Sequence, residues 1–167
     1  MATIESLYGT NGVTITITLT SLADSATAFR ESTPVDNSSN LYLDALVQVK
    51  IKLAASGTIG NDKKVYVYAA GSVDGGTTWP DNATGADATT TFTNPTNLKL
   101  IGVIDCTAYV TSTQQQFISE PFSVAAAFGG ILPKKWSVVI QNRTNIAFTS
   151  TSTDHVVQYQ GIQAQTM

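Results

Sequence analysis

Two segments of the chain alternate between hydrophobic and polar residues. In residues 13–20, valine, isoleucine and leucine alternate with threonine. Residues 43–53 show a similar alternation over a longer stretch, with hydrophobic residues on one face and acidic, amide and lysine side chains on the other. A period of two residues is typical of a β-strand with one buried face and one solvent-facing side. The pattern therefore predicts two amphipathic strands, of which the first is the clearest in the chain.

Shorter apolar runs predict further strands, separated by turns that contain glycine, asparagine or proline. These runs are residues 65–69, 98–104, 117–124, 136–140, 146–149 and 156–162. Helical periodicity is weak: its best candidate is residues 21–29, and residues 125–127 are too few for a helix. About eight strands with little helix predict an all-β fold, an antiparallel β-sandwich of the jelly-roll type.

A length of 167 residues fits a single domain with one hydrophobic core. We assign residues 13–167 to this β-sandwich domain and residues 1–12 to an N-terminal arm, because the arm has little periodicity and ends at an Asn-Gly pair. Such an arm either becomes ordered against a partner or is a frayed terminus. Residues 80–97, rich in small residues, predict a long loop that is either mobile or functional.

The composition argues against several classes of function. Charged residues make up 13% of the chain and the net charge is -3, so we expect no nucleic-acid partner. The single cysteine, Cys106, allows no intrachain disulfide and is expected in the core. The longest apolar run, residues 124–132, is too short to cross a bilayer, and no secretory signal is visible. We therefore expect a protein that is made in the cytoplasm and has no membrane partner.

Residues with catalytic or metal-binding chemistry are few. His155 is the one histidine, and in a strand its neighbour Asp154 would point to the opposite face, so the two predict no catalytic pair. Asp74, Asp81 and Asp87 could supply oxygens to Ca²⁺, but their spacing matches no EF-hand loop. We predict no catalytic, cofactor-binding or metal-binding residues, and hence a protein that is not an enzyme.

Residues 72–79 read Ser-Val-Asp-Gly-Gly-Thr-Thr-Trp, which matches the pattern S-x-D-x-G-x-T-W and resembles the Asp-box of sialidases and related propellers. The expected structure is a tight β-hairpin turn. Asp74 would accept hydrogen bonds from backbone N–H groups of the turn, and Trp79 would fold over it. Propellers repeat the motif and sialidases use an arginine cluster, whereas this chain has one copy and two arginines. The motif therefore predicts a structural turn, whose residues are Ser72, Asp74, Gly76, Thr78 and Trp79.

Residues 44–53, 65–80, 98–105 and 132–142 together resemble the small structural proteins in the virions of tailed bacteriophages. This resemblance implies a non-enzymatic protein on the capsid exterior that decorates or cements the shell and is made in the host cytoplasm. Its partners would be the major capsid protein and copies of itself, and capsid symmetry would allow a homotrimer. The N-terminal arm would then clamp a neighbouring subunit.

Two other functions stay open from the sequence. The same resemblance covers components of the phage tail or baseplate, in which a sandwich serves as a spacer or a receptor-facing head. A β-sandwich can also be a carbohydrate-binding module, for which Tyr66, Tyr68 and Trp136 are the candidates for stacking on sugar rings. Trp136, however, is in phase with Val138 and Ile140, which favours a place in the core.

Overall fold

The computed structural model describes residues 4–92 and 95–166, and these form two antiparallel β-sheets with a hydrophobic core between them. Twelve strands, one short α-helix and two short 3₁₀ turns make up their regular structure. In chain order the strands are β1 (Ile4–Tyr8), β2 (Val13–Thr14), β3 (Ala28–Glu31), β4 (Val35–Asp36), β5 (Asp44–Leu53), β6 (Lys64–Ser72), β7 (Ala88–Thr91), β8 (Lys99–Asp105), β9 (Gln115–Ile118), β10 (Phe122–Ser123), β11 (Lys135–Arg143) and β12 (Val156–Thr166). The helix is α1 (Val124–Ala127), and the 3₁₀ turns are Pro80–Asn82 and Ser152–Asp154.

The order of the strands in the two sheets differs from their order in the chain. The first sheet has the order β1-β12-β5-β10, with β2 paired to β12 and β9 paired to β5. The second has the order β7-β3-β11-β6-β8, with β4 paired to β11. All of these pairs are antiparallel. The expected all-β class with antiparallel sheets is confirmed, and the arrangement is that of a β-sandwich.

The main hydrophobic core lies between the two sheets. Every second residue of β5, from Ala45 to Leu53, is buried, as the sequence alternation predicts. The Trp136 ring of β11 is fully buried and meets the Tyr159 ring of β12 edge to face, with ring centroids 5.5 Å apart, a geometry that aromatic pairs favour. The placement of Trp136 in the core is thus confirmed, and this removes it from the candidates for sugar stacking.

A second, smaller hydrophobic cluster lies on the outer side of the second sheet. Val139 of β11 packs there with Phe29 of β3. Residues 79–92, which we call the covering segment, run over this face and contribute Trp79 and Phe92 to the cluster. As a result, β11 is buried on both faces between its two terminal residues.

Only the first two residues of the segment 13–20 form a strand, β2, so the prediction of a long strand there is wrong. Ile15 N still donates to Val157 O of β12 at 2.8 Å, but Thr16 O accepts from Thr33 N, which lies between β3 and β4. The segment therefore crosses from the first sheet to the second. Its alternating burial persists because its hydrophobic residues close the side of the main core.

Other elements also differ from the prediction. Residues 146–149 form no strand beyond one isolated bridge to β5. Residues 21–29 form no helix, and β3 begins within them. Residues 125–127, expected to be too few for a helix, belong to α1, which the Ser123 hydroxyl caps by accepting from Ala126 N. The described part of the chain thus has twelve strands, where the sequence predicts about eight.

Two segments expected to lack regular structure contain strands. The described residues of the segment 80–97 include a 3₁₀ turn and β7, which pairs with β3 along its whole length. In the N-terminal segment, β1 pairs with β12 from Ile4–Thr166 to Tyr8–Ile162. Residues 1–3 of the expected arm lie outside the described residues. The rest of the arm thus belongs in part to the first sheet within a single chain.

Candidate functional site

Residues 72–79 form a tight turn at the end of β6, built around the carboxylate of Asp74. Asp74 Oδ1 accepts hydrogen bonds from the backbone N–H groups of Thr77 and Thr78, each at 3.0 Å, and from the Ser72 hydroxyl at 2.7 Å. Hydrogen bonds from Thr78, and then from Ser72 and Thr77, hold the pKa of Asp74 far below its ordinary value. This carboxylate is therefore engaged in holding the turn together.

Two glycines and a tryptophan complete this turn. Gly75 and Gly76 have φ angles of 79° and 91°, a region that favours glycine. Gly76 N donates to Ser72 Oγ, and Trp79 Nε1 donates to Gly76 O, both at 2.9 Å. The Trp79 ring lies against Gly85, where an added Cβ would come within 2.5 Å of Nε1. Trp79 thus closes the turn and packs against Gly85 within the covering segment.

This turn does not close a β-hairpin, so that sequence-based expectation is wrong. β6 pairs with β11 and β8, whereas β7, the next strand in the chain, pairs with β3. The turn instead leads the chain from β6 into the covering segment, which passes over the outer side of β11. The geometry of the turn is explained by the contacts within it and by its contacts with the covering segment.

The buried carboxylate of Glu31 anchors the covering segment to the second sheet, and no pattern in the sequence predicts this role. Glu31 is fully buried. Its two oxygens accept hydrogen bonds from Thr84 N at 2.7 Å, Thr84 Oγ1 at 3.0 Å, Gly85 N at 2.8 Å and Ser137 Oγ at 3.3 Å. A buried carboxylate is costly unless several donors face it. The arrangement therefore fixes Thr84 and Gly85 over the sheet.

A second anchor of the covering segment is the ion pair between Arg30 and Asp87. Arg30 Nε donates to Asp87 Oδ1 at 2.8 Å, while Thr18 N and Thr18 Oγ1 donate to the two carboxylate oxygens at 2.9 and 2.6 Å. Burial raises the pKa of Asp87, but the hydrogen bonds from Thr18 and Arg30 outweigh it and hold the pKa below its ordinary value. Asp87 thus joins the covering segment both to β3 and to the segment 13–20, which crosses between the two sheets.

The three aspartates considered for Ca²⁺ do not come together. Asp74 and Asp87 are held as described, and Asp81 Oδ2 accepts from Asn97 N at 2.6 Å and Leu98 N at 2.9 Å. Within residues 4–92 and 95–166, no group of three or more His, Cys, Asp or Glu side chains is placed to hold a metal ion. The same residues contain no helix long and apolar enough to cross a membrane.

His155 and Asp154 lie side by side, just before β12, but both are engaged with Thr149. His155 Nε2 faces Thr149 O at 3.0 Å, whereas Asp154 Oδ2 accepts from Thr149 Oγ1 at 2.8 Å. The imidazole stacks on Phe148, with ring centroids 5.4 Å apart, and its Nδ1 accepts from Lys52 N at 3.4 Å. Burial lowers the pKa of His155 and outweighs the Thr149 bond and the Asp154 charge, which raise it. The geometry is that of a half-buried structural histidine.

Cys106 is fully buried in the main core, as the sequence predicts. Burial, with a further contribution from the charge of Asp105, raises the pKa of the Cys106 thiol to about 12. A thiol that stays protonated is a poor nucleophile, so this position is structural.

The remaining two candidates for sugar stacking, Tyr66 and Tyr68, lie side by side on the outer side of β6. Their ring centroids are 6.4 Å apart and the rings are tilted by 30°. The Tyr66 hydroxyl donates to Asp62 Oδ1 at 2.8 Å, and the Tyr68 ring packs on Phe29. Both rings are half-buried, so their faces are largely occupied by protein neighbours.

The N-terminal strand and the end of β12 form a two-stranded ribbon beyond the start of β5. β5 meets β12 as far as the pair Asp44–Ile162, whereas β1 continues to the pair Ile4–Thr166. The last part of β12 therefore has β1 as its neighbour among the described strands. All residues of β1 are exposed, and β1 forms the edge of the first sheet. We call β1 and residues 162–166 the terminal ribbon.

Large hydrophobic side chains that are exposed to solvent gather at this end of the molecule. Three belong to the ribbon, two lie just before β5, and one precedes Leu132. They are Ile4, Leu7, Tyr8, Leu41, Leu43 and Ile131, which are between 39% and 76% exposed. We call the end of the molecule that carries these side chains the apolar end.

A hydrogen bond and a cavity show that the parts of the apolar end are neighbours. Leu43 N donates to Ile162 O of the terminal ribbon at 2.7 Å. Leu41, Tyr42 and Leu132 line a shared cavity of about 380 Å³. Exposed hydrophobic side chains that cluster at one end of a protein indicate a site of contact with another molecule. The apolar end is therefore the strongest candidate for a contact surface, and the N-terminal arm is the part of it that the sequence predicts.

Comparison with known proteins identifies no relative of this chain. No protein-family model, no curated protein and no solved structure matches the chain.

Proposed function

We propose that this chain is a non-enzymatic structural protein of a tailed-bacteriophage virion, which decorates or cements the capsid shell through its apolar end. The observation that carries the proposal is the concentration of exposed hydrophobic side chains on and beside the terminal ribbon. Of the eleven large hydrophobic side chains exposed in the described part of the chain, six lie there. The resemblance of the sequence to small virion proteins supplies the partner, the major capsid protein.

The terminal ribbon has the physical properties of a contact element. A two-stranded ribbon is only marginally stable by itself in water, and an edge strand such as β1 presents unpaired backbone groups that favour pairing with another chain. Burial of Ile4 and Tyr8 against a shell subunit would contribute about 25 cal/mol for each Å² of hydrophobic surface removed from water. The N-terminal segment would hold a neighbouring subunit in this way.

We also propose that the sandwich has a jelly-roll topology and that the protein assembles into a homotrimer. The chain passes repeatedly from one sheet to the other, for example between β4 and β5, between β8 and β9 and between β11 and β12. This connectivity supports a sandwich of the jelly-roll type. On a shell, copies of the protein would lie around a symmetry axis on the capsid exterior, and a homotrimer is the arrangement that we propose.

The copy number in virus particles tests the location. We expect quantitative mass spectrometry of purified, stringently washed particles from the source of this sequence to find the chain at a simple ratio to the most abundant shell protein. A handful of copies per particle would instead assign it to the tail or baseplate. Its complete absence from particles would overturn the virion proposal.

Substitutions in the apolar end test the contact surface. We expect the double variant Ile4→Asp, Tyr8→Asp to bind particles that lack the protein at least about tenfold more weakly than the unchanged chain, a loss of roughly 1.4 kcal/mol. Both side chains are exposed in the single chain, so the fold should survive, which circular dichroism and thermal unfolding would verify.

The matched control is Val110→Asp. Val110 is also exposed, and it lies at the opposite end of the molecule, where Tyr109 contacts Ala54 and Ser56 beyond the end of β5. We expect this variant to bind particles normally. Undiminished binding of the ribbon variant, or an equal loss in the control, would argue against the apolar end as the contact surface.

A further inference from the structure

The outer face of the first sheet carries a groove lined by amide side chains. Asn11, Leu46, Gln48, Gln158 and Gln160 line a cavity of about 250 Å³ there. A second cavity of about 220 Å³ adjoins it, because Gln48 and Gln158 line both. Together the two cavities reach the size range of about 300–1,000 Å³ that is typical of ligand sites. We call this surface the amide groove.

The sheet register explains why the amides stand together. Gln48 of β5 is paired with Gln158 of β12, and Leu46 is paired with Gln160. Paired residues in antiparallel strands point to the same side of the sheet. The inward residues of the same strands form the main core, so these side chains are directed to the outer face.

Hydrogen bonds hold the amides in place and leave part of their capacity unused. Gln158 Nε2 donates to Gln48 Oε1 at 3.4 Å, Gln48 Nε2 donates to Ser119 O at 3.2 Å, and Gln160 Nε2 donates to Gly9 O at 3.4 Å and to Asn11 Oδ1. Each amide has two donor hydrogens and an oxygen that accepts two bonds. A set of donors and acceptors fixed in this way reduces the entropy that a ligand must overcome.

We propose that the amide groove binds a neutral glycan. Sugar hydroxyls both donate and accept hydrogen bonds, and side-chain amides offer both functions. Leu46 and Pro121 provide apolar surface for the C–H faces of the ring. The residues that line the first cavity include no acidic or basic side chain, and Lys50 in the second directs Nζ to Thr153 O at 3.2 Å. The first cavity therefore favours an uncharged ligand.

The position of the groove favours a glycan over a peptide as its ligand. Peptides commonly bind a sheet by adding a strand to its edge, through backbone hydrogen bonds. The groove lies instead over β12 and β5, and each of these strands has paired neighbours on both sides. Their backbone groups are used within the sheet, so the groove offers side-chain amides and apolar contacts, which suits a sugar better than an extended peptide.

Titration of the full chain with oligosaccharides tests this proposal. The probes are cellotriose, maltotriose, mannotriose and triacetylchitotriose, with trigalacturonate as a charged comparison and a proline-rich peptide as a peptide comparison. We expect at least one neutral trisaccharide to shift the NMR signals of the Gln48 and Gln158 side-chain amides in a saturable way. Binding of the charged probe or the peptide alone, or of no probe, would overturn the proposal.

Variants locate the site. We expect Gln48→Ala and Gln158→Ala each to weaken binding of that trisaccharide at least about tenfold. Gln116→Ala is the matched control, because Gln116 is an exposed residue of β9 outside the groove, and it should bind normally. Thermal unfolding would verify that all three variants are folded. Undiminished binding by both groove variants would place the sugar elsewhere and contradict the proposal.

Binding of the polysaccharide that corresponds to the trisaccharide tests whether the natural ligand is a surface polysaccharide or a free oligosaccharide. A polymer that binds more tightly than the trisaccharide, per sugar unit, would indicate a surface polysaccharide, and equal binding would indicate a free oligosaccharide. Either result supports a neutral glycan in the groove. The proposal does not rest on the shell-binding role, since the amide groove and the apolar end share no residue.

Discussion

At the scale of single residues, His155 links the stability of the fold to pH. Its imidazole is packed between Phe148 and the backbone of Lys52 and Thr149, and burial lowers its pKa from the ordinary value of 6.5. The contribution of this residue to stability is therefore fully present above pH 6.5 and is lost as pH falls through the lower pKa of the folded state. The sign follows because the unfolded chain binds the proton first.

We expect the melting temperature of the unchanged protein to fall between pH 7 and pH 5, and this fall to be smaller in His155→Gln. The depressed carboxyl groups, such as Asp74 and Asp87, act in a separate range, since their ordinary pKa is 3.8 and their folded values lie lower. Their contribution is present above that value and is lost at more acidic pH. Thermal unfolding at several pH values would measure both ranges. An identical pH dependence in the variant would show that another group is responsible.

Residue identity alone did not point to the structural role of Glu31. A carboxylate in an alternating strand ordinarily faces solvent, and nothing near Glu31 in the sequence indicates burial. Its donors, Thr84 and Gly85, are 53 and 54 positions away in the chain. By contrast, the motif at residues 72–79 predicts its own local hydrogen bonds, because all of their donors and acceptors lie within the same turn.

At the scale of elements, the buried carboxylate of Glu31 is the acceptor that fixes Thr84 and Gly85 of the covering segment over the second sheet. We expect Glu31→Ala to lower the free energy of unfolding by roughly 2–4 kcal/mol, because the N–H groups of Thr84 and Gly85 would be left without a partner. Denaturant unfolding would measure the loss. Hydrogen exchange should also become faster at Thr84 and Gly85.

The matched control for this prediction is Glu120→Ala, which removes an exposed carboxylate. Its free energy of unfolding should change by less than about 0.5 kcal/mol. An equally small change in Glu31→Ala would mean that other contacts hold the covering segment.

The sequence predicts a strand well when the strand is central in its sheet, because burial then imposes a long alternating or apolar run of residues. β5, β6, β11 and β12 have long alternating or apolar runs and are central in their sheets. β1 and β7 have no such runs. They form strands because they pair with β12 and β3. Residues 13–20 show the opposite case, because a segment that crosses between sheets also buries every second side chain. Surface sites are harder to predict from the sequence than strands are. The amide groove, for example, depends on which residues of β5 and β12 are paired.

At the scale of the whole molecule, the thiol of Cys106 reports on opening of the main core. The thiol is fully buried and its pKa is raised to about 12, so modification requires that the core around it opens. We expect an alkylating reagent to label Cys106 at least about a thousandfold more slowly than an exposed thiol, as a stability of several kcal/mol implies. Low concentrations of denaturant should speed the labelling.

A reference thiol for this measurement is Thr113→Cys in a Cys106→Ala background, since Thr113 is exposed. Mass spectrometry would follow both labelling rates. Comparable rates in the two proteins would indicate that the core opens locally around Cys106 without global unfolding.

The pairing of Ile4 with Thr166 makes the path of the chain an almost closed circuit. Any chain that continues from Ile4 or from Thr166 would leave the domain beside the apolar end, in the space that a shell subunit would occupy under the proposed role. A peptide inserted near Val110, at the opposite end, would be carried outward with the ribbon undisturbed. Under the proposed shell-binding role, the useful insertion point for display is thus an internal loop.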